Sequence, residues 1–145
     1  MNITNKEYGE LAQKHSPATR TKANCIKAFL IGGVICVIGQ TFTDIYTALG
    51  FSKLDTGALV SMTLIFISAI LTGLRLYDKL ARHGGAGTLV PITGFANSVV
   101  APALEYKSEG FVTGIGSKMF SIAGPVLIYG ITASVLYGIL YYLFR

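Results

Sequence analysis

The sequence predicts an all-α integral membrane protein. It has three firm transmembrane helices and one further membrane segment that glycine and proline break, either re-entrant or discontinuous. Three observations lead there. Hydrophobic residues make up 52% of the 145-residue chain and charged residues only 13%, where a soluble domain carries about 25% charge. Residues 28–43, 56–74, 84–104 and 119–144 contain no Asp, Glu, Lys or Arg, and a crossing helix needs about 20 mainly apolar residues. The basic residues flank these stretches. In a soluble protein the net charge of +5 would suit nucleic acid; here it sets orientation, and no nucleic-acid partner is expected.

Residues 1–27 form a polar arm carrying Lys6, Lys14, Arg20, Lys22 and Lys27, with a break expected at Ser16-Pro17. No cleavable signal peptide is visible ahead of the first apolar run. The first span covers 28–49. A short loop holds Lys53 and Asp55, and the second span covers 56–76. The following loop sets Arg75, Lys79 and Arg82 against the single acid Asp78. By the positive-inside rule the arm and this second loop are cytoplasmic.

The third stretch, GGAGTLVPITGFANSVVAPAL at 84–104, contains four glycines and two prolines. Glycine weakens a helix, and Pro91 and Pro102 each remove a backbone donor. Broken backbone at membrane depth survives only against protein or a water-filled cavity. The last span covers 119–144, and Tyr137, Tyr141, Tyr142 and Arg145 form an interfacial anchor. A complete crossing by 84–104 puts both termini in the cytoplasm; a re-entrant one puts them on opposite sides. The two acids and two bases of 105–118 do not decide between these.

In the first span, Gly32, Gly33, Cys36, Gly39, Gln40, Thr43, Asp44 and Thr47 share one arc of about 140° at 100° per residue. Leu30, Ile31, Val34, Ile35, Ile38, Phe42 and Ile45 occupy the other side, which is expected to face lipid. The small, polar arc either packs against other helices or lines a water path along Gln40, Thr43 and Asp44. Gly57, Ser61, Ser68, Thr72 and Arg75 in the second span form a narrower stripe. Gly130, Ser134 and Gly138 follow four-residue steps in the last span. Both read as helix-packing faces.

Catalytic readings find no support. GGAGT lacks the GK[ST] ending of a phosphate loop, and its spacing does not make GxGxxG. His15 and His83 have no partner at metal-ligand spacing. The two cysteines, Cys25 and Cys36, form neither a CxxC nor a disulfide framework. No catalytic residue, metal ligand or cofactor is expected.

Three blocks carry a family resemblance: KAFLIGGVICVIGQ at 27–40, SAILTGLRLYDKLARHGGAGTLVPITGFANS at 68–98 and ALEYKSEGFVTGIGSKMF at 103–120. Together they resemble the stage V sporulation protein A family, with GAG…VP.TGF the most specific part. The polar arm KEYGELAQKHSP distinguishes the chain from the AE-type member, which lacks one.

The resemblance implies an oligomeric channel in the inner membrane of the forespore and spore. Its cargo would be dipicolinic acid, moved as the calcium chelate, taken up in sporulation and released in germination. The implied partners are the AE-type membrane subunit, the soluble AD-type subunit and the lipid bilayer. On that basis a pore is expected between subunits, lined by the first span and the broken segment through Gln40, Thr43, Asp44, Thr93 and Asn97. Backbone donors or a gating hinge are expected at Gly84, Gly85, Gly87 and Gly94, and a cationic cytoplasmic mouth at Arg75, Lys79 and Arg82. The competing expectation is a non-conducting scaffold that docks the soluble subunit.

Overall fold

A computed structural model describes residues 4–15 and 20–144. The break expected at Ser16-Pro17 and the end of the C-terminal anchor at Arg145 lie outside these residues. The described chain is helical, with no strand. Its helices are α1 (Asn5–His15), α2 (Thr21–Ala48), α3 (Lys53–Gly73), α4 (Leu76–Gly84), α5 (Pro91–Glu105) and α6 (Ala123–Phe144). Of these, α2, α3 and α6 are long and apolar enough to cross a membrane. They match the three expected spans, although α2 begins within the basic arm and α6 begins four residues later than expected.

Local chemistry fixes the helix ends. Thr4 and Glu7 form a reciprocal capping box at the start of α1: the Thr4 amide and hydroxyl both donate to Glu7 Oε2 at 2.9 Å. These bonds hold the Glu7 carboxyl below its ordinary pKa, the backbone bond contributing most. Between α2 and α3, Gly50 takes φ +87°. The Phe51 amide reaches back to the Tyr46 carbonyl, closing a glycine-terminated helix end. Ser52 then caps α3, its hydroxyl accepting from the Asp55 amide.

The hairpin of α2 and α3 is tied by Tyr46, whose hydroxyl bonds to Thr63 Oγ1 at 2.8 Å. The buried face of α3 repeats every four residues, as Thr56, Val60, Leu64, Ser68 and Thr72. The stripe expected on this helix is therefore half realised. Ser68 and Thr72 are buried, Ser61 is half-buried, and Gly57 and Arg75 are exposed.

The broken segment is the least regular part of the fold. After α4, Gly85–Thr88 forms a 3₁₀ turn, with Gly85 at φ +49°. Pro91 then starts α5, where its missing N–H costs nothing. The Tyr77 hydroxyl holds the turn by donating to the Thr88 carbonyl at 2.8 Å. At 15 residues, α5 is about 22 Å long, short of the roughly 30 Å hydrocarbon core.

Two hydrogen bonds set the direction of α5. The Ser68 hydroxyl donates to the Thr93 carbonyl at 2.7 Å, and the Thr72 hydroxyl donates to Asn97 Oδ1 at 2.8 Å. Both pairs are 25 residues apart, so α5 runs parallel to α3 and not back against it. Thr93 stands level with Ser68, five residues or about 8 Å inside the end of α3. The single Thr72 hydroxyl proton is shared between Asn97 Oδ1 at 2.8 Å and the Ser68 carbonyl at 2.7 Å, so Thr72→Val should remove both contacts and lower stability by about 1–2 kcal/mol. Thermal unfolding in detergent measures this, with Thr47→Val, on the exposed face of α2, as the near-neutral control.

Helix α6 meets the rest of the chain at its N-terminal end, where Ala123 is buried. Residues 125–144 are all exposed, so lipid or other subunits must cover them in a membrane.

Candidate functional site

The packing face of α2 comprises Ala28, Ile31, Gly32, Ile35, Gly39, Phe42, Thr43 and Tyr46, all half-buried. This corrects the expected division of the helix. Ile31, Ile35 and Phe42, expected toward lipid, pack inward instead. The small, polar arc is split. Gly32, Gly39 and Thr43 turn inward, while Gly33, Cys36, Gln40, Asp44 and Thr47 are exposed. At 100° per residue, the exposed polar residues centre about 120° from the packing face, leaving a third face for lipid.

On that exposed polar face Gln40 Nε2 donates to Asp44 Oδ1 at 2.8 Å. Thr43 and Thr47 donate to carbonyls four residues earlier, Gly39 and Thr43, at 2.9 and 2.8 Å. The threonine hydroxyls are thereby satisfied within the helix. Gln40 and Asp44 satisfy only each other, and each keeps further polar capacity directed away from the chain. Gln40 lies near the middle of the span, where no water would meet it in a lipid-facing helix.

The broken segment sits against the N-terminal half of α2 by backbone contact. A Cβ on Gly87 would lie 2.1 Å from the Ala28 carbonyl oxygen and 2.7 Å from its Cα. A Cβ on Gly32 would lie 3.2 Å from the Gly87 carbonyl oxygen, and one on Gly84 would lie 3.0 Å from the Ile31 side chain. One on Gly94 would lie 2.9 Å from the Thr88 carbonyl oxygen. Gly84, Gly87 and Gly94 thus serve close approach. Among the four glycines expected as donors or hinges, Gly85 is the one at positive φ.

Thr93 and Asn97, expected along a path, lie between α3 and α5. Thr93 is only 6% exposed and its carbonyl takes the Ser68 hydroxyl. Its own hydroxyl is buried without a partner. The residue four positions back, Leu89, precedes α5, so no helical carbonyl is in place to accept it. Asn97 is half-buried and engaged by Thr72. Both residues lie in the seam between α3 and α5, Thr93 joined through its backbone carbonyl and Asn97 through its side-chain amide.

The three bases expected at a common mouth are also separated. Arg75 lines a cleft of about 450 Å³ with Thr72, Gly73, Asp78, Ala101, Leu104, Glu105 and Lys107. Arg82 lines another of about 330 Å³, with Thr21, Asn24, Cys25 and His83 among its walls. Lys79 is exposed on α4 and lines neither. Sequence reading missed Glu105 and Lys107 as neighbours of Arg75. The parallel return of α5 brings them there, and no local pattern announces it.

Comparison with known proteins gives the chain's family. The family described as SpoVAC/SpoVAEB sporulation membrane protein matches residues 24–140. Stage V sporulation protein AC of Bacillus subtilis (strain 168) is 42% identical over 141 residues, covering 97% of this chain and 94% of that protein. No solved structure matches. The match runs through all three long apolar helices, the polar face of α2 and the broken segment, and the chain belongs to the SpoVAC/SpoVAEB family of sporulation membrane proteins.

Proposed function

We propose that this chain is a membrane subunit of a channel that moves dipicolinic acid, as its calcium chelate, across the inner spore membrane. Uptake would serve sporulation and release would serve germination. The observation that carries the reading is the uncovered polar face of α2. An exposed Gln40–Asp44 pair on a helix long enough to span is costly against lipid. It is relieved by water or by another subunit. Three spans cannot enclose a pore, so the path lies between subunits, with Gln40 and Asp44 on its wall and Thr43 behind them. Thr93 and Asn97 then hold the wall from the inside.

The family membership supports a sporulation complex. Its other members are taken to be the AE-type membrane subunit and the soluble AD-type subunit. The basic arm and the loop after α3 support a cytoplasmic N-terminus. The parallel run of α3 and α5, with α5 too short to cross, supports a re-entrant segment that enters and leaves on the cytoplasmic side. The C-terminus of α6 then lies outside.

Reconstitution tests the reading. Vesicles holding the chain with its partner subunits are expected to pass calcium dipicolinate. Vesicles with the partners but without this chain should not. Equal flux in both preparations argues for a non-conducting scaffold.

A further inference from the structure

The cleft between the cytoplasmic ends of α3 and α5 has an unusual charge pattern. Its charged walls are Arg75 and Lys107 on one hand and Asp78 and Glu105 on the other, and its floor includes Thr72. The signs cancel, two against two, yet among the described residues no ion pair joins these groups. All four are exposed. The opening of about 450 Å³ suits a small ligand or a headgroup.

Arg75 adds a second observation. It follows the last turn of α3, and its amide bonds to the Thr72 carbonyl. Its backbone is left-handed, at φ 57°, and it is the one non-glycine residue with positive φ among those described. This is the position where helices most often place glycine. At the end of α2 the chain does place one, Gly50, at φ 87°. At the end of α3 it keeps an arginine in the strained conformation, with its side chain on the cleft.

We infer that this cleft binds a ligand carrying an anionic group and a cationic centre side by side, in preference to a bare anion. Arg75 and Lys107 take the anionic part; the planar guanidinium suits a carboxylate or phosphate. Asp78 and Glu105 offer hard oxygen ligands or ion-pair partners to the cationic part. Two sources have this chemistry: a calcium–dicarboxylate chelate and a zwitterionic phospholipid headgroup. Naming the chelate rests on the transport reading above, whereas the two-sign site does not.

The test uses the full chain purified in a non-ionic maltoside detergent. Equilibrium binding is measured for calcium dipicolinate, for calcium-free sodium dipicolinate, and for phosphatidylethanolamine carried in the micelles. At equal ionic strength, the chelate or the headgroup is expected to bind about ten-fold more tightly than the calcium-free dianion, or better. Arg75→Gly and Glu105→Gln should each weaken that binding by about ten-fold. Arg75→Gly should unfold at or above the wild-type temperature, because glycine relieves the left-handed backbone. Its loss of binding is then not a loss of fold.

Binding of phosphatidylethanolamine without the chelate upholds the two-sign site and removes it from the transport path. Equal or tighter binding of the calcium-free dianion overturns the inference. So does wild-type affinity in both variants, or failure of both the chelate and the headgroup to bind.

Discussion

A methyl group at position 87 is expected to force α2 and the broken segment apart. In Gly87→Ala the new Cβ would lie 2.1 Å from the Ala28 carbonyl oxygen and 2.7 Å from Ala28 Cα. The obstructing atoms are backbone on a 28-residue helix, so no rotamer change clears them. Overpacking costs about 1–3 kcal/mol in general, and a clash of backbone on backbone should reach the top of that range or pass it. Thermal unfolding and size-exclusion profiles in detergent measure the loss. Gly130→Ala is the control: nothing lies within 4 Å of its Cβ, and alanine favours the helix by up to about 1 kcal/mol. Gly32→Ala should fall between the two, since its new Cβ would lie 3.2 Å from the nearest atom, the Gly87 carbonyl oxygen. Wild-type stability in Gly87→Ala would mean that α2 and the turn do not meet by backbone contact.

Replacing Gln40 and Asp44 together by leucine is expected to leave the fold intact and impair transport. In the described chain these two side chains hydrogen-bond only to each other, so no other hydrogen bond within the subunit is lost. Leucine also suits a span better: insertion scales charge about 2.5–3.5 kcal/mol for an acid at a helix centre, and less for Asp44, toward the C-terminal end of α2. Melting temperature and membrane yield should therefore hold or rise. Passage of calcium dipicolinate in reconstituted vesicles should fall by about ten-fold or more, because the path loses its polar wall. A scaffold whose α2 merely meets lipid predicts unchanged passage. Unchanged passage in the double variant would remove α2 from the pathway.

These two predictions concern two different faces of one helix, and only part of that division was legible beforehand. Periodicity in the first span placed Gly32 through Thr47 on one arc, which the structure divides between a packing face and an exposed face. It gave relative angles, not the direction in which the arc points. The closely approaching 3₁₀ turn took Gly32 for packing, while Gly39, farther along, faces Leu64 of α3. Cys36, Gln40 and Asp44 were left outside, and Ile31, Ile35 and Phe42 were drawn inward. The three spans were readable because charge cannot be buried cheaply in lipid, a constraint that acts residue by residue. The break at 84–104 was readable because glycine and proline act locally.

The seam of α3 and α5 was not readable. It depends on Ser68 meeting Thr93 and Thr72 meeting Asn97 across 25 residues, which no window of sequence reports. For the same reason Thr93 and Asn97 were expected on a path and are found in a seam. Arg75 and Arg82 were expected together and line separate clefts. Glycine identity announced special backbone at 84–94 but not its kind. Close approach at Gly87 and a left-handed turn at Gly85 look alike in sequence.

The central claim is that the polar face of α2 borders a water-filled path in the assembled complex, and the chain carries a native reporter on that face. Cys36 is exposed beside Gln40 and is otherwise accompanied only by Cys25. In a Cys25→Ser chain, assembled with its partner subunits in lipid, Cys36 is expected to react with a charged, water-soluble thiosulfonate. A thiol at Val34, on the apolar face of the same helix, should not react when Cys36 is also replaced. Reaction at Cys36 that calcium dipicolinate slows is the predicted result; a Cys36 as inert as the thiol at position 34 would contradict the account.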